Sequence, residues 1–259
     1  MKLTEIFNIL HKIAPVKLSD EFCAKYGLYD NSGIIINCAE EIKGVCFCLD
    51  LSEDSVKFAK EHGCNLIVTH HPAIYGGIEK IDAVNLATKN IAECIKYGIS
   101  VISMHLNFDC APLGIDYYLM RGLGGTEADI LADITGGGYG RAYEIKPVLF
   151  NNYIENIKKE FITEKVFAYG ENKEIKKVAS FCGAGCDDNA INFAVLKGAD
   201  AFVSSDLKHH EILKLLSNGI NVIQLTHYSS ENYGFNKIYK EISKNLTVPS
   251  AYYADGKMS

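Results

Sequence analysis

The chain has 259 residues, 48% of them hydrophobic and 22% charged, and a formal net charge of −6. This composition is ordinary for a globular protein with one large domain or two small lobes. The acidic balance argues against a general nucleic-acid-binding protein, which would need a basic surface. No apolar run approaches the roughly 18 residues of a membrane span.

The first 15 residues predict an amphipathic helix rather than an export signal. Apolar residues recur there at helical spacing: Leu3, Ile6, Phe7 and Leu10. Glu5 and His11 interrupt any apolar segment of the kind that a signal peptide needs. We therefore expect a cytoplasmic protein.

The nine cysteines are interpreted as reduced residues rather than disulfide partners. Four of them lie in apolar runs or on helical faces and are predicted to be small core residues: Cys46, Cys48, Cys64 and Cys94. Cys182 and Cys186 have C-x3-C spacing, whereas a metal site is typically announced by C-x2-C pairs. We expect no metal on these two thiols.

Two stretches of the chain share one pattern, which predicts two similar lobes. Residues 44–71 and 178–206 each read as a strand, an acidic or serine turn, an amphipathic helix closed by Gly63 or Gly198, and a second strand. A second helix and a third strand follow in each case. Strands alternating with helices predict parallel sheets and an α/β architecture. The alternative is that any two strand–helix–strand units look alike.

A glycine-rich segment separates the two stretches. Residues 122–140 carry seven glycines, and we place the lobe boundary there. The prediction is an N-terminal α/β lobe of residues 1–136 and a C-terminal α/β lobe of residues 137–259, without an inserted domain. A helix is expected over residues 151–161 and a strand over residues 166–169.

His70 and His71 follow the apolar run 66–68 and precede Pro72. Neighbouring side chains in a strand point to opposite faces, so two adjacent ligands converge only where the strand has ended. Proline has no N–H to give to a sheet and supplies such an end. The pair is therefore predicted to lie at the carboxyl end of a strand.

Two further strand ends carry a histidine followed four positions later by an acid. These are His105 with Asp109, and His227 with Glu231. Ligands gather beyond the carboxyl ends of parallel strands, and imidazole with carboxylate suits zinc, iron, manganese or nickel. A metal site is predicted here, and a pair of ions is plausible because two carboxylates can bridge two cations.

The order of these motifs resembles the Nif-three-like family, also called GTP cyclohydrolase I type 2 homologues. THHP, HLNFD, a glycine-rich GR turn, CGAG, SSDLKHHE and THYSSE follow one another, and YDNSGIII over residues 29–36 is similar to the family's Asp-Asn-x-Gly-Leu segment. The resemblance covers nearly the whole chain. It implies two α/β lobes (the Nif-three-like fold) with a dinuclear metal site between them, a homohexameric ring, and the short form of the family.

The resemblance also implies the metal ligands, which match five positions of this chain: His70, His71, Asp109, His227 and Glu231. The two carboxylates would bridge two divalent ions (Zn, Fe, Mn or Ni). The chain departs from the usual family pattern at three positions within these motifs but outside the ligand set: Leu106, Ser205 and Thr226. These departures leave the ligands in place and bear on the pocket and its substrate.

Two histidines outside that set are candidate catalytic residues. His105 is expected to orient a ligand or to donate a proton near the metals, and a packing role is the alternative. His209, with His210, is predicted to open a helix behind a cap at residues 204–205. With Lys208 it would receive a phosphate there, and the alternative is a solvated first turn.

The leading functional hypothesis is a metal-dependent hydrolase of a nucleotide, phosphoester or cyclic amide, because two bridged cations lower the pKa of bound water. The family name implies opening of the imidazole ring of GTP, although the chain has no P-loop and no recognisable guanine-reading motif. The alternative is a metal-binding, metal-delivery or regulatory scaffold protein without turnover. A nucleic-acid role ranks third, and no membrane partner is expected.

Overall fold

The computed structural model describes residues 1–258, apart from the side chains of residues 86 and 87. Its elements are numbered in chain order. Those of the first 111 residues are α1 (Leu3–Ile13), α2 (Val16–Tyr26), β1 (Gly33–Ile36), β2 (Val45–Cys48), α3 (Glu53–Glu61), β3 (Leu66–Thr69), α4 (Leu86–Lys96), β4 (Ser100–Ser103) and α5 (Leu106–Cys110). Those that follow are α6 (Ile115–Gly122), β5 (Asp129–Ile134), β6 (Gly137–Leu149), α7 (Phe150–Phe161), β7 (Val166–Tyr169), β8 (Glu174–Ser180), α8 (Asp188–Leu196), β9 (Ala201–Ser204), α9 (His209–Ser217), β10 (Asn221–Leu225), α10 (His227–Ser243) and β11 (Ser250–Tyr252).

These elements fall into two units. Unit 1 comprises Met1–Ala111 and Phe235–Ala254, and unit 2 comprises Pro112–Gly234 with the C-terminal residues from Asp255. The chain returns to unit 1 because β11 pairs in parallel with β2. The units therefore differ from the predicted division at 136/137, which lies inside unit 2.

The glycine-rich segment that suggested this boundary contains a hairpin turn between β5 and β6. β5 and β6 pair antiparallel around it, with Ile134 opposite Gly137. Gly136 has a φ of +85°, a left-handed conformation that glycine adopts without steric cost and that tight hairpin turns require. Glycines are expected both in a hairpin turn and at a boundary between two lobes. Only the pairing of the flanking strands distinguishes the two.

Unit 1 is built on a five-stranded sheet in the order β1-β4-β3-β2-β11. Four strands run parallel, and the edge strand β1 is antiparallel to β4. The four cysteines predicted to be core residues are all buried and free: Cys46, Cys48, Cys64 and Cys94. They pack with apolar side chains of α3, α4 and the sheet in one cluster, which confirms that prediction.

Unit 2 is built on a six-stranded sheet in the order β5-β6-β8-β9-β10-β7. β8, β9 and β10 run parallel, whereas β5, β6 and β7 pair antiparallel. Both sheets are therefore mixed: the predicted parallel pairing holds for the three repeated strands of each unit, and other strands pair antiparallel beside them. In each unit, the last of the three repeated parallel strands has an antiparallel neighbour on its other side. This neighbour is β1 beside β4 in unit 1 and β7 beside β10 in unit 2.

The repeat predicted from the sequence is present in the fold. β2-α3-β3-α4-β4 in unit 1 corresponds to β8-α8-β9-α9-β10 in unit 2, each with three adjacent parallel strands. Gly63 and Gly198 follow the first helix of each set at φ +66° and +65°, as glycines that end helices do. α1, α7 and β7 also lie where they were predicted. No helix of the described residues combines the length and the apolarity that crossing a lipid bilayer requires.

Candidate metal centre

His70 and His71 lie in the turn that follows β3. Their amides still bond to the last residue of β2 and to the residue after it, His70 N to Cys48 O at 3.3 Å and His71 N to Leu49 O at 2.9 Å. The Thr69 hydroxyl donates to the His71 carbonyl at 2.7 Å. This bond bends the chain within two residues, and the two rings come to lie 4.9 Å apart between centroids. The turn is thus what lets adjacent histidines share a site.

His105 joins this pair. It lies between β4 and α5, and one ring nitrogen each of His70, His71 and His105 falls within 4.8 Å of the other two. His70 is fully buried, and the other two histidines are partly buried. Three imidazoles at this spacing form a cluster able to hold a metal ion.

The Nδ1 atom of each of these three rings is held by an oxygen acceptor. His70 Nδ1 donates to the Met104 carbonyl at 3.0 Å. His71 Nδ1 lies 2.7 Å from Asp50 Oδ1, and His105 Nδ1 lies 2.8 Å from Asp30 Oδ1. An Nδ1–H donor fixes the neutral ring in the tautomer whose Nε2 carries the lone pair, the usual arrangement of a metal-binding histidine.

Asp109 lies one helical turn after His105. Both were predicted to lie at a strand end; His105 does follow β4 and is the N-cap of α5, whereas Asp109 lies within that helix. The His105 carbonyl accepts from the Asp109 amide at 3.1 Å. The spacing of four residues is therefore one turn of helix, and Asp109 Oδ1 lies 3.6 Å from His70 Nε2.

Unit 2 presents a second pair in the same way. His227 lies two residues beyond the end of β10, as predicted, and is the first residue of α10, whereas Glu231 follows one turn later within that helix. His227 Nδ1 lies 2.5 Å from Asp206 Oδ2, and His227 Nε2 lies 3.0 Å from Glu231 Oε1. Glu231 is buried, with 2% of its surface exposed.

Gly183 lines the side of this pair. It has a φ of +59°, and a Cβ built on it would lie against Glu231 Oε1 and 3.3 Å from His227 Nε2. Its backbone amide and its carbonyl are both held by hydrogen bonds. The carbonyl accepts from Ser205 Oγ at 2.6 Å, and the amide donates to Ser230 Oγ at 3.1 Å. Only glycine leaves room for the Glu231 carboxylate.

Within each unit, the donor set fits a divalent transition metal. Nitrogen from imidazole and oxygen from carboxylate are ligands that zinc, iron, manganese and nickel accept. Two atoms bound at about 2.1 Å to one tetrahedral ion lie roughly 3.4 Å apart. The separations of 3.6 Å between His70 and Asp109 and 3.0 Å between His227 and Glu231 lie on either side of this value.

Asp30, the carboxylate beside His105, is held by hydrogen bonds from three side chains. Burial opposes its ionisation and is the largest single influence, but hydrogen bonds with His105, Ser19 and Ser32 together outweigh it and lower the pKa of Asp30 to about 2. The Ser19 and Ser32 hydroxyls donate to Oδ2 at 2.5 and 2.7 Å. Ser32 Oγ also accepts from the His105 amide at 3.0 Å, so one small network fixes both the ring and the backbone of His105.

Asp30 is expected to stabilise unit 1 above about pH 4 and to lose that contribution as the pH falls toward 2. Its pKa is about 2 in the folded chain and roughly 3.9 in an unfolded chain. The unfolded state therefore takes up the proton first as the pH falls, which costs up to about 2.6 kcal/mol of stability. Urea unfolding of the parent and of Asp30→Asn should show a stability gap that narrows between pH 7 and pH 3. A difference in unfolding free energy that stays the same from pH 7 to pH 3 would contradict the lowered pKa of Asp30.

His209 and His210 are exposed in the first turn of α9, as predicted, but the cap is a different one. Lys208 is the N-cap, and its amide donates to Glu211 Oε2 at 2.8 Å. The Lys208 ammonium lies 3.3 Å from the same carboxylate. A carboxylate thus already occupies this helix N-terminus, which favours the solvated first turn over a phosphate site.

The predicted cap at Ser204 and Ser205 has another function in the structure. Both hydroxyls donate to the Gly183 carbonyl, at 3.2 and 2.6 Å. They are buried at the end of β9, five and four residues before the helix begins. Ser205, one of the departures from the family pattern, thus supports the loop beside Glu231.

Three residues of the centre were given no role in the sequence analysis: Asp30, Asp50 and Asp206. Asp50 and Asp206 each follow a buried parallel strand, β2 and β9, so the rule that pointed to the histidines also points to them. Asp206 lies within the quoted SSDLKHHE motif. Asp30 lies within YDNSGIII, but it is 75 residues from His105 in the chain, and no sequence signal pairs the two.

Histidines and carboxylates at the strand ends of a mixed α/β chain define a candidate metal-binding protein. The chain belongs to the Duf34/NIF3 family (NGG1p interacting factor 3), whose family model matches residues 1–253. It is 32% identical over 251 residues to a Campylobacter jejuni protein named GTP cyclohydrolase 1 type 2 homolog, and this match covers 96% of the chain and 94% of that protein. The resemblance found in the sequence is confirmed.

Solved structures show the same fold. A hypothetical protein of Staphylococcus aureus superposes with a TM-score of 0.85 at 24% identity, covering 98% of this chain and 96% of that one. Reduced HcgD from Methanocaldococcus jannaschii superposes with a TM-score of 0.82 at 27% identity, covering 97% of each chain. The mixed α/β fold with two sheets is therefore that of NIF3 superfamily structures.

Proposed function

We propose that the protein is a metal-dependent hydrolase that holds two divalent ions. The ligands would be those matched by the family resemblance: His70, His71, Asp109, His227 and Glu231. Asp109 and Glu231 would be shared between the ions, so the proposal requires the ligands of both units to converge. The substrate class is a nucleotide, a phosphoester or a cyclic amide.

One observation carries the proposal: the Nδ1 atoms of all three ligand histidines are occupied by oxygen acceptors. These are Met104 O, Asp50 and Asp206. Carboxylates and carbonyls in this position raise the basicity of the ring and fix its orientation, and metal-ligating histidines almost always have them. The same Nδ1-to-oxygen arrangement at three histidines favours metal ligands over histidines that merely fill a core.

Bound ions would supply acidified water and polarise an oxygen of the substrate. The chain's own residues would orient the ligands and move protons. Asp30 holds His105 at 2.8 Å with Nε2 turned away from that bond, which suits His105 as the group that exchanges a proton with substrate or water. His209 remains the candidate for a substrate contact.

Protein purified without chelator or metal-affinity resin should carry close to two first-row transition metals per chain, measured by elemental analysis. Glu231→Gln should lose at least one ion, because the amide keeps the shape of the side chain and removes the charge that offsets the repulsion between cations. Activity on a panel of nucleotides and phosphoesters should disappear with it.

His209→Ala is the matched control. It should keep both ions, and if His209 contacts substrate equally in the ground and transition states, it should mainly raise the apparent KM. A parent without metal that takes up no zinc, iron or manganese would refute the site. A Gln variant with two ions and full activity would refute the role of Glu231.

The second candidate is a metal-binding, metal-delivery or regulatory scaffold protein without turnover. It needs the same ligands, and the exposed first turn of α9, where Lys208 already pairs with Glu211, offers little support for a substrate contact at His209. Full metal content without turnover of any compound in the panel would put this function first. In either case we propose a homohexamer, as the family resemblance implies.

A further inference from the structure

Two exposed tyrosines lie in segments that adjoin the histidine cluster of unit 1. Tyr29 is 52% and Tyr75 is 66% exposed. Their ring centroids are 5.5 Å apart and the rings cross at 77°. Core packing does not account for rings this exposed, because the hydrophobic contribution of a side chain grows with the area removed from water.

The tyrosine pair is held in place by the backbone around it. The Tyr75 hydroxyl donates to the Tyr29 carbonyl at 3.3 Å, and Asn31 Nδ2 donates to the Ile74 carbonyl at 2.8 Å. The Ala73 amide donates to Ser103 Oγ at 3.0 Å, which ties the second segment to the end of β4. The two rings are therefore presented on a fixed frame, and little side-chain order remains to be imposed by a ligand.

Chain connectivity keeps both rings within reach of the cluster. Tyr29 directly precedes Asp30, whose carboxylate lies 2.8 Å from the His105 ring. Tyr75 follows His71 by four positions, and a chain spans at most about 3.6 Å per residue, so their Cα atoms are no more than roughly 14 Å apart. One small molecule can extend from the rings to the histidines.

Rings that cross near a right angle form a corner suited to a flat ligand. A planar ring that stacks on the face of one tyrosine turns its edge to the face of the other, and both arrangements are favourable for aromatic rings. We propose that Tyr29 and Tyr75 bind the planar heteroaromatic ring of a nucleotide-like substrate whose polar end faces the histidine cluster. The direction of that polar end rests on the proposed function, whereas the ring site does not.

The test is calorimetric titration of the purified protein with guanosine 5′-monophosphate and with ribose 5-phosphate, which lacks the ring. The parent should bind the nucleotide more tightly. Tyr29→Ala and Tyr75→Ala should each weaken nucleotide binding roughly 5- to 150-fold and leave ribose 5-phosphate unaffected. Tyr75→Phe keeps the ring and loses only the bond to Tyr29, so it should lose less than Tyr75→Ala.

Tyr97→Ala is the matched control. Tyr97 is another exposed tyrosine of unit 1, 45% exposed, with the Lys60 ammonium 3.4 Å from its ring centroid, and its loss should leave nucleotide affinity unchanged. Chromatography of each titrated sample detects any turnover separately. Nucleotide binding without turnover would support the ring site and count against the hydrolase.

Three results would overturn the ring site. The first is equal affinity of the parent for the two ligands. The second is equal nucleotide affinity of the parent and both alanine variants. The third is a change in assembly mass with no change in nucleotide affinity, which would identify the tyrosine pair as a contact between protein chains. Turnover of substrates without a ring, together with any of these, would leave the hydrolase proposal standing.

Discussion

Gly183→Ala is expected to lower metal affinity roughly 10- to 100-fold, whereas Gly198→Ala leaves it unchanged. The two glycines have φ values of +59° and +65°, so both alanines incur a similar backbone cost of about 1–2 kcal/mol. The surroundings of the added Cβ differ. At Gly183 it meets Glu231 Oε1 and lies 3.3 Å from His227 Nε2, and at Gly198 no atom of the described residues outside its two chain neighbours lies within 4 Å.

The loop that carries Gly183 has little freedom to retreat from the new methyl group. Its carbonyl accepts from two buried hydroxyls, Ser204 Oγ at 3.2 Å and Ser205 Oγ at 2.6 Å. Its amide donates to Ser230 Oγ at 3.1 Å. Moving this peptide would leave buried polar groups without partners, at about 1–3 kcal/mol each. The side chain of Glu231 is therefore the part that must move, and the oxygen proposed as a metal ligand moves with it.

Competition with a coloured chelator measures the metal affinity of both variants, and thermal unfolding of the same samples measures the backbone cost. The two variants should have similar unfolding temperatures and different affinities. Equal loss of metal in both would assign the effect to backbone strain. Full affinity in Gly183→Ala would show that Glu231 adapts to the methyl group, and the confinement of this ligand would be disproved.

The positions of the histidines proposed as ligands were predictable from the sequence because strand ends are marked locally. The apolar run before His70 and the proline after His71 define where β3 stops, and the repeat identifies the equivalent strands of unit 2. The helical setting of Asp109 and Glu231 was not predicted. A spacing of four residues suits a loop as well as one helical turn, and the apolar pattern of each strand gives no sign of where the following helix begins.

The support of the histidines depends on pairs far apart in sequence. Asp30 bonds to His105 across 75 residues, and Asp50 and Asp206 each bond to a histidine 21 residues away. The order and register of the strands bring such groups together: the antiparallel pair β1 and β4 for Asp30, and the parallel pairs β2–β3 and β9–β10 for Asp50 and Asp206. Periodicity identifies strands but does not give their register, so these carboxylates could be located at strand ends without being assigned to a histidine.

Asp116→Ala is expected to destabilise unit 2 by about 3–5 kcal/mol, because it leaves the Arg141 guanidinium buried without its counter-charge. Asp116 is fully buried and Arg141 is 6% exposed, and Asp116 Oδ2 lies 3.0 Å from Arg141 Nε. The carboxylate also accepts from the amides of Gly140 at 3.0 Å and Cys182 at 3.2 Å. Chemical unfolding measures the loss.

Two comparison variants locate the origin of this effect. Glu241→Ala removes one partner of an exposed pair, Glu241 with Lys244 at 2.7 Å, and should change stability by less than about 1 kcal/mol. Asp116→Ala combined with Arg141→Met removes the buried charge as well, so it should be less destabilising than Asp116→Ala alone. The stability of this double variant should not recover fully, since the amides of Gly140 and Cys182 still lack their acceptor.

Cys182 immediately precedes Gly183, so the double variant should still bind metal more weakly than the parent. Parent-like metal affinity would show that the amide bond of Cys182 does not position the loop beside Glu231.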